Sequence, residues 1–415
     1  MDQEPADVLV LEGKIARVGC DLPAPAGARV VDASGRIVAP GLVDMHVHLR
    51  EPGYEHKETI ATGTRAAAMG GITSLVCMPN TDPPADNPGT LAWIAARARE
   101  TGAARVWPAG CITKGRRGEE LAEMASLAAA GAVAFSDDGF PVARAGVMRR
   151  ALEYAGSLGR VVISHCEDPD LAGGGVMHEG YWSTVLGLVG MPAAAEEVMV
   201  AREIILARLT GQRVHLAHLS TGLSAAMVRR AREEGLPVTA EVTPHHLALS
   251  DAAVAGYDTS TKVNPPLRPQ EDVEALRQAL AGGVVQVIAS DHAPHAAQEK
   301  EQDFDQVPFG ISGVETMLPV VATVLVKSGL LAWSRALAAM TVKPARILGL
   351  PVGTLEPGAL ADITLIDPEL EMVVDRDRFV SLGHNSPFHG WKLSGWPVMT
   401  IVGGEIVMDG RQLLS

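Results

Sequence analysis

Paired cysteines, basic clusters and long apolar runs are all missing from this chain. The four cysteines (Cys20, Cys77, Cys111 and Cys166) are scattered and form no CxxC pair, which argues against a disulfide framework or a zinc ribbon. Asp and Glu outnumber Lys and Arg by 49 to 35, which gives a formal net charge of −14. Without a basic cluster, this balance argues against a nucleic-acid partner.

The chain also lacks the features of a membrane or secreted protein. No apolar stretch approaches the length that spans a bilayer. The N-terminal sequence Met-Asp-Gln-Glu-Pro is acidic and does not have the form of a signal peptide. We therefore expect a cytoplasmic protein with no membrane partner. Its 415 residues are enough for one large domain and a smaller one.

The central part of the chain alternates short β-rich runs with longer amphipathic segments. The runs are dominated by Val, Ile, Leu and Ala with little alternation, as expected for parallel strands that are covered on both faces. They lie at 41–50, 71–80, 104–110, 132–139, 160–168, 212–220, 237–246 and 284–295. Eight strands with crossover segments between them predict a (β/α)8 TIM barrel.

The two ends of the chain have a different pattern of short β segments separated by turn residues. Neither end carries enough apolar residues to form a core alone. We predict that residues 1–40 and 351–415 pair into one small flanking β-sandwich domain. The catalytic barrel would then occupy residues 41–350.

Polar residues follow most of the predicted barrel strands, where TIM-barrel active sites lie. A doubly wound open sheet is the rival fold, but it would place the chemistry at one switch point. In an extended strand, residues i and i+2 face the same side, so His46 and His48 present two imidazoles to one small volume, with Arg50 just beyond. Two converging imidazoles form part of a metal site.

The later strands supply the rest of a two-metal centre. His165 and His218 could hold a second metal, Asp291 could join the first, and either Asp137 or Asp138 could bridge the two. His245 and His246 close the predicted seventh strand; a structural role and a supporting role in the site are equally compatible with the sequence. His292 is expected to pack away from the site.

At these positions the chain resembles the dihydroorotases of the amidohydrolase superfamily, in particular the bacterial type that bridges its zinc ions with an aspartate. The resemblance runs nearly end to end. It rests on HVHLREPG at 46–53, MPNT at 78–81, FSDDG at 135–139, HCE at 165–167, HLST at 218–221, EVTPHH at 241–246, NPPLR at 264–268, DHAPH at 291–295 and PFG at 308–310.

The resemblance implies two Zn²⁺ ions per subunit, bridged by Asp138 and a hydroxide. One zinc would be held by His46, His48 and Asp291, and the other by His165 and His218. Asp291 would be the catalytic residue that moves the proton. The implied substrate contacts are His48, Arg50, Asn80, Asn264, His295, Phe309 and Gly310.

The implied activity is the reversible hydrolysis of (S)-dihydroorotate to N-carbamoyl-L-aspartate, the third step of pyrimidine biosynthesis. Dihydropyrimidinases, hydantoinases and allantoinases share the barrel and the HxH motif, but they typically bridge their metals with a carboxylated lysine. The fourth strand here, AVAFSDDG, has no lysine. A metal-free scaffold for aspartate transcarbamoylase is a further alternative, although this chain keeps every ligand. We expect a homodimer, and an association of the active enzyme with the transcarbamoylase stays open.

Overall fold

The computed structural model describes residues 5–414. The first eight strands are β1 (Asp7–Leu11), β2 (Lys14–Gly19), β3 (Ile37–Pro40), β4 (Leu42–Val47), β5 (Ile72–Cys77), β6 (Arg105–Gly110), β7 (Ala134–Phe135) and β8 (Val161–Ser164). The later strands are β9 (Met177–His178), β10 (Gly190–Met191), β11 (Val214–Leu216), β12 (Val238–Val242), β13 (Val287–Ile288), β14 (Ile363–Val373), β15 (Lys392–Val402), β16 (Glu405–Asp409) and β17 (Gln412–Leu413).

Eight of these strands form the parallel sheet that the sequence predicts. Their order is β4-β5-β6-β7-β8-β11-β12-β13, so each strand lies beside the next one of the set along the chain. A parallel bridge between Val47 and His292 links the first strand to the segment after the last, where the His48 amide donates to the His292 carbonyl at 2.9 Å. This closes the sheet, and the predicted TIM barrel is confirmed.

Helices connect and follow the barrel strands. They are α1 (Ile60–Met69), α2 (Pro88–Thr101), α3 (Met124–Ala129), α4 (Ala145–Ser157), α5 (Pro169–Ala172), α6 (Tyr181–Leu186), α7 (Ala194–Thr210), α8 (Gly222–Glu233), α9 (Pro244–Ala248), α10 (Gln270–Ala281), α11 (Ala297–Lys300), α12 (Met317–Val321), α13 (Trp333–Ala339) and α14 (Val342–Leu348). A π-helix, Ala322–Val326, continues α12, and 3₁₀ turns lie at Lys114–Arg116, Asp251–Gly256, Thr259–Thr261 and Arg376–Arg378. No helix within the described range is both long and apolar enough to cross a membrane.

The main core lies between the strands and this helical layer. Leu75 on β5 and Leu216 on β11 are fully buried, and they belong to the same apolar cluster as Leu152 of α4 and Val228 of α8. Each such side chain contributes about 1.5–3 kcal/mol through burial. This rigid core fixes the strand ends that carry the polar residues.

Both chain ends contribute to a flanking antiparallel sheet, as expected. Its order is β17-β16-β15-β14-β3, and β14 pairs with β3 from Ile363↔Pro40 onward. The β1–β2 hairpin packs on it through Ile15 and Ile363. Gly71 lies where this sheet meets the barrel: its φ is +80°, and a Cβ there would lie 2.7 Å from the Thr364 side chain. The boundaries 1–40, 41–350 and 351–415 stay a prediction.

One local prediction is wrong. His245 and His246 do not close β12, the seventh strand of the barrel. They lie in α9, because β12 ends at Val242. The Thr243 side chain caps this helix by accepting from the His246 amide, and Pro244 occupies its first turn. A capping threonine followed by proline is a helix-start signal, and it ends the strand four residues before the predicted end at 246.

Candidate metal centre

All six predicted metal ligands lie at the carboxyl ends of barrel strands, and each is at most 5% exposed. His46 is in β4 and His48 follows it. The other four come after β7, β8, β11 and β13, as Asp138, His165, His218 and Asp291. Six side chains from the ends of five barrel strands therefore converge on one buried volume at the mouth of the barrel.

Asp138 lies between two pairs of histidines. Its Oδ2 is 3.2 Å from Nε2 of His46 and 3.4 Å from Nε2 of His48. Its Oδ1 is 3.4 Å from Nε2 of His218 and 3.7 Å from Nδ1 of His165. Each carboxylate oxygen thus faces one histidine pair, which is the arrangement that a bridging ligand needs. The neighbouring Asp137 faces away from this volume.

Asp291 approaches the first histidine pair from the end of β13, which lies beside β4 where the barrel closes. Its Oδ1 is 3.1 Å from Nε2 of His48 and 3.6 Å from Nε2 of His46. Its backbone has a φ of +47°, and that of His218 is +29°. Non-glycine residues rarely adopt such values, and those that do are concentrated at functional sites. The strained backbone directs both side chains into the same volume.

The carboxylates of this volume are ionised. Burial raises the pKa of Asp291, but hydrogen bonding to His48 and the charge of His46 outweigh it and hold the pKa at about 2. The pKa of Asp138 is also well below its usual range, since the histidines around it outweigh its burial. Conversely, His165 has a pKa of about 10, because Asp138 and Glu167 overcome the effect of burial. The site therefore attracts positive charge.

These residues fit a metal pair. His46 Nε2 and Asp138 Oδ1 are buried and make no hydrogen bond to any residue between 5 and 414. Ligand atoms from two groups lie within 4.8 Å of one another: His46 with Asp138 and His218, and His46 with His48 and Asp291. Imidazole nitrogen and carboxylate oxygen together suit Zn²⁺. A bound cation would satisfy the orphaned atoms.

Two further side chains orient the first histidine pair. Nδ1 of His46 donates to Oε1 of Glu241 at 2.6 Å, and the other oxygen, Oε2, lies 3.2 Å from His215. Nδ1 of His48 lies 2.9 Å from Oδ1 of Asn80. Donation from Nδ1 fixes the tautomer and leaves the Nε2 lone pair free for a metal. Asn80, predicted as a substrate contact, is thus also a partner of His48.

The predicted anion-binding residues lie together beside this centre. Nη2 of Arg50 is 3.3 Å from Nε2 of His295, and its Nε donates to the Pro294 carbonyl at 3.2 Å. Burial lowers the pKa of Arg50 to about 10, so it stays charged at neutral pH. Burial and the nearby cations Arg50, Lys300 and Lys57 lower the pKa of His295 strongly, so its ring is neutral. This cluster offers positive potential to a carboxylate.

The loop residues Phe309 and Gly310 adjoin the same cluster. The Phe309 carbonyl lies 2.9 Å from Nε2 of His295, and the Lys262 ammonium is 4.8 Å from the centre of the Phe309 ring. Gly310 has a φ of +147°, and a Cβ there would be 2.5 Å from the Ala293 carbonyl oxygen. Only glycine fits this close approach.

Three supporting residues are not among those predicted from the sequence. Glu241 is a charged residue within the apolar β12, which is the signal that could have found it. Asn385 lies far along the chain; its amide accepts from the His295 backbone at 3.0 Å and donates to the Gly310 carbonyl at 2.8 Å. Glu167, which follows His165, accepts from the Asn264 amide at 2.7 Å.

Two predictions about other histidines can be compared with the structure. His292 is fully buried away from the ligands, with Nε2 3.3 Å from Glu58 and Nδ1 accepting from the Gly313 amide. It packs as expected. His246 contacts Thr243 and the Pro265 carbonyl, which is a structural role.

A TIM barrel with histidines and carboxylates at its mouth places the chain among the hydrolases of the amidohydrolase class. The model of the Amidohydrolase family matches residues 211–408, and that of the Dihydro-orotase-like family matches residues 35–224. Dihydroorotase from Pelotomaculum thermopropionicum is 60% identical over 98% of this chain and 95% of its own length. Dihydroorotase from Acetivibrio thermocellus is 50% identical over 98% of this chain and 96% of its own. The chain belongs to the dihydroorotase family.

Two solved structures with the same fold are named hydantoinase and dihydropyrimidinase. L-hydantoinase from Arthrobacter aurescens has a TM-score of 0.90 at 28% identity, and covers 99% of this chain and 94% of its own. Dihydropyrimidinase from Brevibacillus agri has a TM-score of 0.87 at 25% identity, and covers 100% of this chain and 93% of its own. The fold is therefore shared with proteins named hydantoinase and dihydropyrimidinase at 25–28% identity, whereas the relatives at 50–60% identity are named dihydroorotase.

Proposed function

We propose that the chain is a zinc-dependent dihydroorotase, which hydrolyses the cyclic amide of (S)-dihydroorotate to N-carbamoyl-L-aspartate and closes the ring in reverse. Its place would be the third step of pyrimidine biosynthesis. The observation that carries the proposal is Asp138, whose two oxygens face different histidine pairs. Identity of 60% to a dihydroorotase over nearly the whole chain supports the choice of substrate.

The proposed ligands follow from these contacts. His46, His48 and Asp291 would hold one zinc, His165 and His218 would hold the other, and Asp138 would bridge them. The zinc pair, when bound, supplies a water that is activated at neutral pH and polarises the amide carbonyl. The chain contributes buried, pre-oriented ligands, because Glu241 and Asn80 already fix two of the rings.

Asp291 is the proposed proton carrier. Its pKa of about 2 keeps it ionised at neutral pH, so it can accept a proton from the attacking water. The same low pKa means that it holds the proton only briefly before delivering it to the departing ring nitrogen. Arg50 would bind the substrate carboxylate bidentately, with Asn80 and His295 beside it. Asn264, Phe309 and Gly310 complete the proposed substrate contacts.

A cyclic-amide hydrolase of another specificity is the second candidate, because two solved structures with TM-scores of 0.90 and 0.87 are named hydantoinase and dihydropyrimidinase. Position 138 is an aspartate, and the segment around β7, the fourth strand of the barrel, has no lysine. Both features favour dihydroorotase. The test is a hydrolysis assay with dihydroorotate, hydantoin, dihydrouracil and allantoin side by side. Preference for dihydroorotate supports the proposal, and preference for an uncharged ring contradicts it.

The remaining expectations concern assembly and place. The homodimer, the association with aspartate transcarbamoylase and the cytoplasmic location stay predictions. The native mass of the purified chain, alone and mixed with the transcarbamoylase, tests the first two. A metal-free scaffold is the alternative for this partnership, and protein purified without zinc that still binds the transcarbamoylase would favour it.

A further inference from the structure

Asn264 and Glu167 come from different loops and meet beside the metal centre. Glu167 follows β8, and Asn264 follows the 3₁₀ turn Thr259–Thr261. Nδ2 of Asn264 donates to Oε2 of Glu167 at 2.7 Å. The same Oε2 lies 3.6 Å from Nε2 of His165. One carboxylate thus contacts both a proposed substrate contact and a proposed zinc ligand.

This contact fixes the direction of the Asn264 amide. An ionised carboxylate can only accept hydrogen bonds, so it must face the amide NH₂ and not its oxygen. The carbonyl oxygen Oδ1 therefore points away from Glu167. That oxygen is buried and has no hydrogen-bond partner among residues 5–414. A buried acceptor without a partner is unfavourable, which indicates that something outside the chain donates to it.

We infer that Glu167 is a positioning residue, which holds the Asn264 amide so that Oδ1 accepts a hydrogen bond from a ring N–H of the cyclic-amide substrate. The inference rests on the proposed function for the identity of that substrate. Dihydroorotate carries two ring N–H donors, and its carboxylate is assigned to Arg50 on other grounds. Glu167 itself does not touch the substrate. By fixing Oδ1 of Asn264 toward the substrate, Glu167 makes this part of the site bind a hydrogen-bond donor of the substrate and not a hydrogen-bond acceptor.

The contact with His165 provides a competing explanation, in which Glu167 supports only the metal. A reversed hydrogen-bonding pair separates the two. Asn264→Asp places two carboxylates together and removes the hydrogen bond. In the double variant Glu167→Gln with Asn264→Asp, the glutamine amide can donate to one aspartate oxygen and leave the other as the acceptor. The direction of the hydrogen bond is reversed, but an oxygen still faces the substrate.

The experiment compares wild type, both single variants and the double variant. Binding of orotate is measured by calorimetry, since this planar analogue carries the same carboxylate and both ring N–H groups. KM for dihydroorotate and zinc content are measured in parallel. Asn264→Asp is expected to weaken orotate binding and raise KM at least about tenfold, and the double variant to recover to within about fivefold of wild type. Zinc content is expected to be the same in all four.

Asp168→Asn is the matched control. Asp168 is the next carboxylate along the chain, and its Oδ1 caps α5 by accepting from the Asp170 and Leu171 amides. Asparagine keeps that acceptor, so orotate binding is expected to stay within about twofold of wild type. This variant measures the effect of removing one negative charge near the site, which Glu167→Gln also removes.

Each other outcome counts against the inference. A double variant that binds orotate no better than Asn264→Asp overturns it, and so does zinc loss that parallels the loss of binding in Glu167→Gln. If wild-type protein binds orotate and the double variant recovers binding as expected, but wild-type protein does not turn over dihydroorotate, only the proposed function is contradicted. Wild-type protein that neither binds orotate nor hydrolyses dihydroorotate overturns both.

Discussion

Asp137 and Asp138 are consecutive, yet their carboxylates serve opposite sides of the same loop. Asp138 faces the four histidines, whereas Oδ1 of Asp137 accepts from the backbone amides of Ile112 and Thr113 at 2.8 and 3.0 Å. Its Oδ2 accepts from the Thr113 hydroxyl. Asp137 therefore ties the end of β7 to the loop that contains Ile112 and Thr113, and this anchoring holds Asp138 in place.

The pair gives a matched test of the bridge. Asp138→Asn is expected to lose zinc and to lower turnover of dihydroorotate about 1000-fold or more, because metal polarisation contributes several kcal/mol. Asp137→Asn keeps an oxygen that can accept from both amides, so it should retain zinc and most activity. Zinc analysis and kcat of the two variants check this. Equal zinc content in both variants would remove the basis for assigning the bridge to Asp138.

Glu241→Gln is expected to weaken zinc binding without removing a ligand. The ionised Glu241 holds Nδ1 of His46 at 2.6 Å, and its pKa stays far below the usual range because His46 and His215 outweigh its burial. A neutral amide binds the imidazole more weakly and no longer fixes the tautomer. Changes of this kind lower metal affinity about 10- to 100-fold. Competition with a zinc chelator measures the affinity, and an unchanged value would show that His46 does not depend on Glu241.

Arg50→Ala is expected to lower kcat/KM for dihydroorotate about 10- to 100-fold, because a bidentate charged hydrogen bond to the substrate carboxylate is lost. Zinc content should not change, since Arg50 contacts His295 and the Pro294 carbonyl and none of the proposed ligands. Arg149→Ala is the control, because Arg149 is exposed on α4 and pairs with Glu153. Normal turnover in Arg50→Ala would show that the carboxylate binds elsewhere.

Glu315→Gln is expected to stabilise the fold at alkaline but not at acidic pH. Burial raises the pKa of Glu315 to about 7 from the usual 4.5. Both protein states are protonated below pH 4.5. Between 4.5 and 7 only the unfolded state loses its proton, so stability falls as pH rises. The cost reaches at most about 3 kcal/mol above pH 7.

Glutamine avoids that cost and keeps the contacts, because the Val380 and Ser381 amides both donate to Oε1 of Glu315. The free energy of unfolding in urea is measured for wild type and variant at pH 4.5 and pH 8. We expect a gain of about 1–3 kcal/mol at pH 8 and almost none at pH 4.5. The same difference at both values would mean that ionisation of Glu315 is not responsible.

Periodicity predicted most of the fold because parallel barrel strands are buried on both faces. It also placed His46 and His48 on one side of β4, since their spacing of two residues fixes that geometry. It was wrong at α9, where the cap at Thr243 and the proline after it outweighed the apolar run. Local hydrogen bonds of this kind decide where a strand ends, and the pattern of apolar residues carries no information about them.

Contacts distant in sequence set the limit for the site. Asn385 holds the His295 backbone from 90 residues away, and no spacing rule connects the two. The choice between Asp137 and Asp138 depended on the family motif, because sequence spacing does not determine the directions of adjacent side chains in a loop. In the structure, the amides of Ile112 and Thr113 take up one carboxylate and leave the other for the histidines.

The most direct test of the two-metal dihydroorotase is a zinc titration of chelated protein, with dihydroorotate hydrolysis measured at each step. Two ligand sets joined by one carboxylate predict that activity rises until about two zinc ions are bound per subunit and then stays constant. Full turnover without metal, or a maximum at one zinc per subunit, would contradict the account.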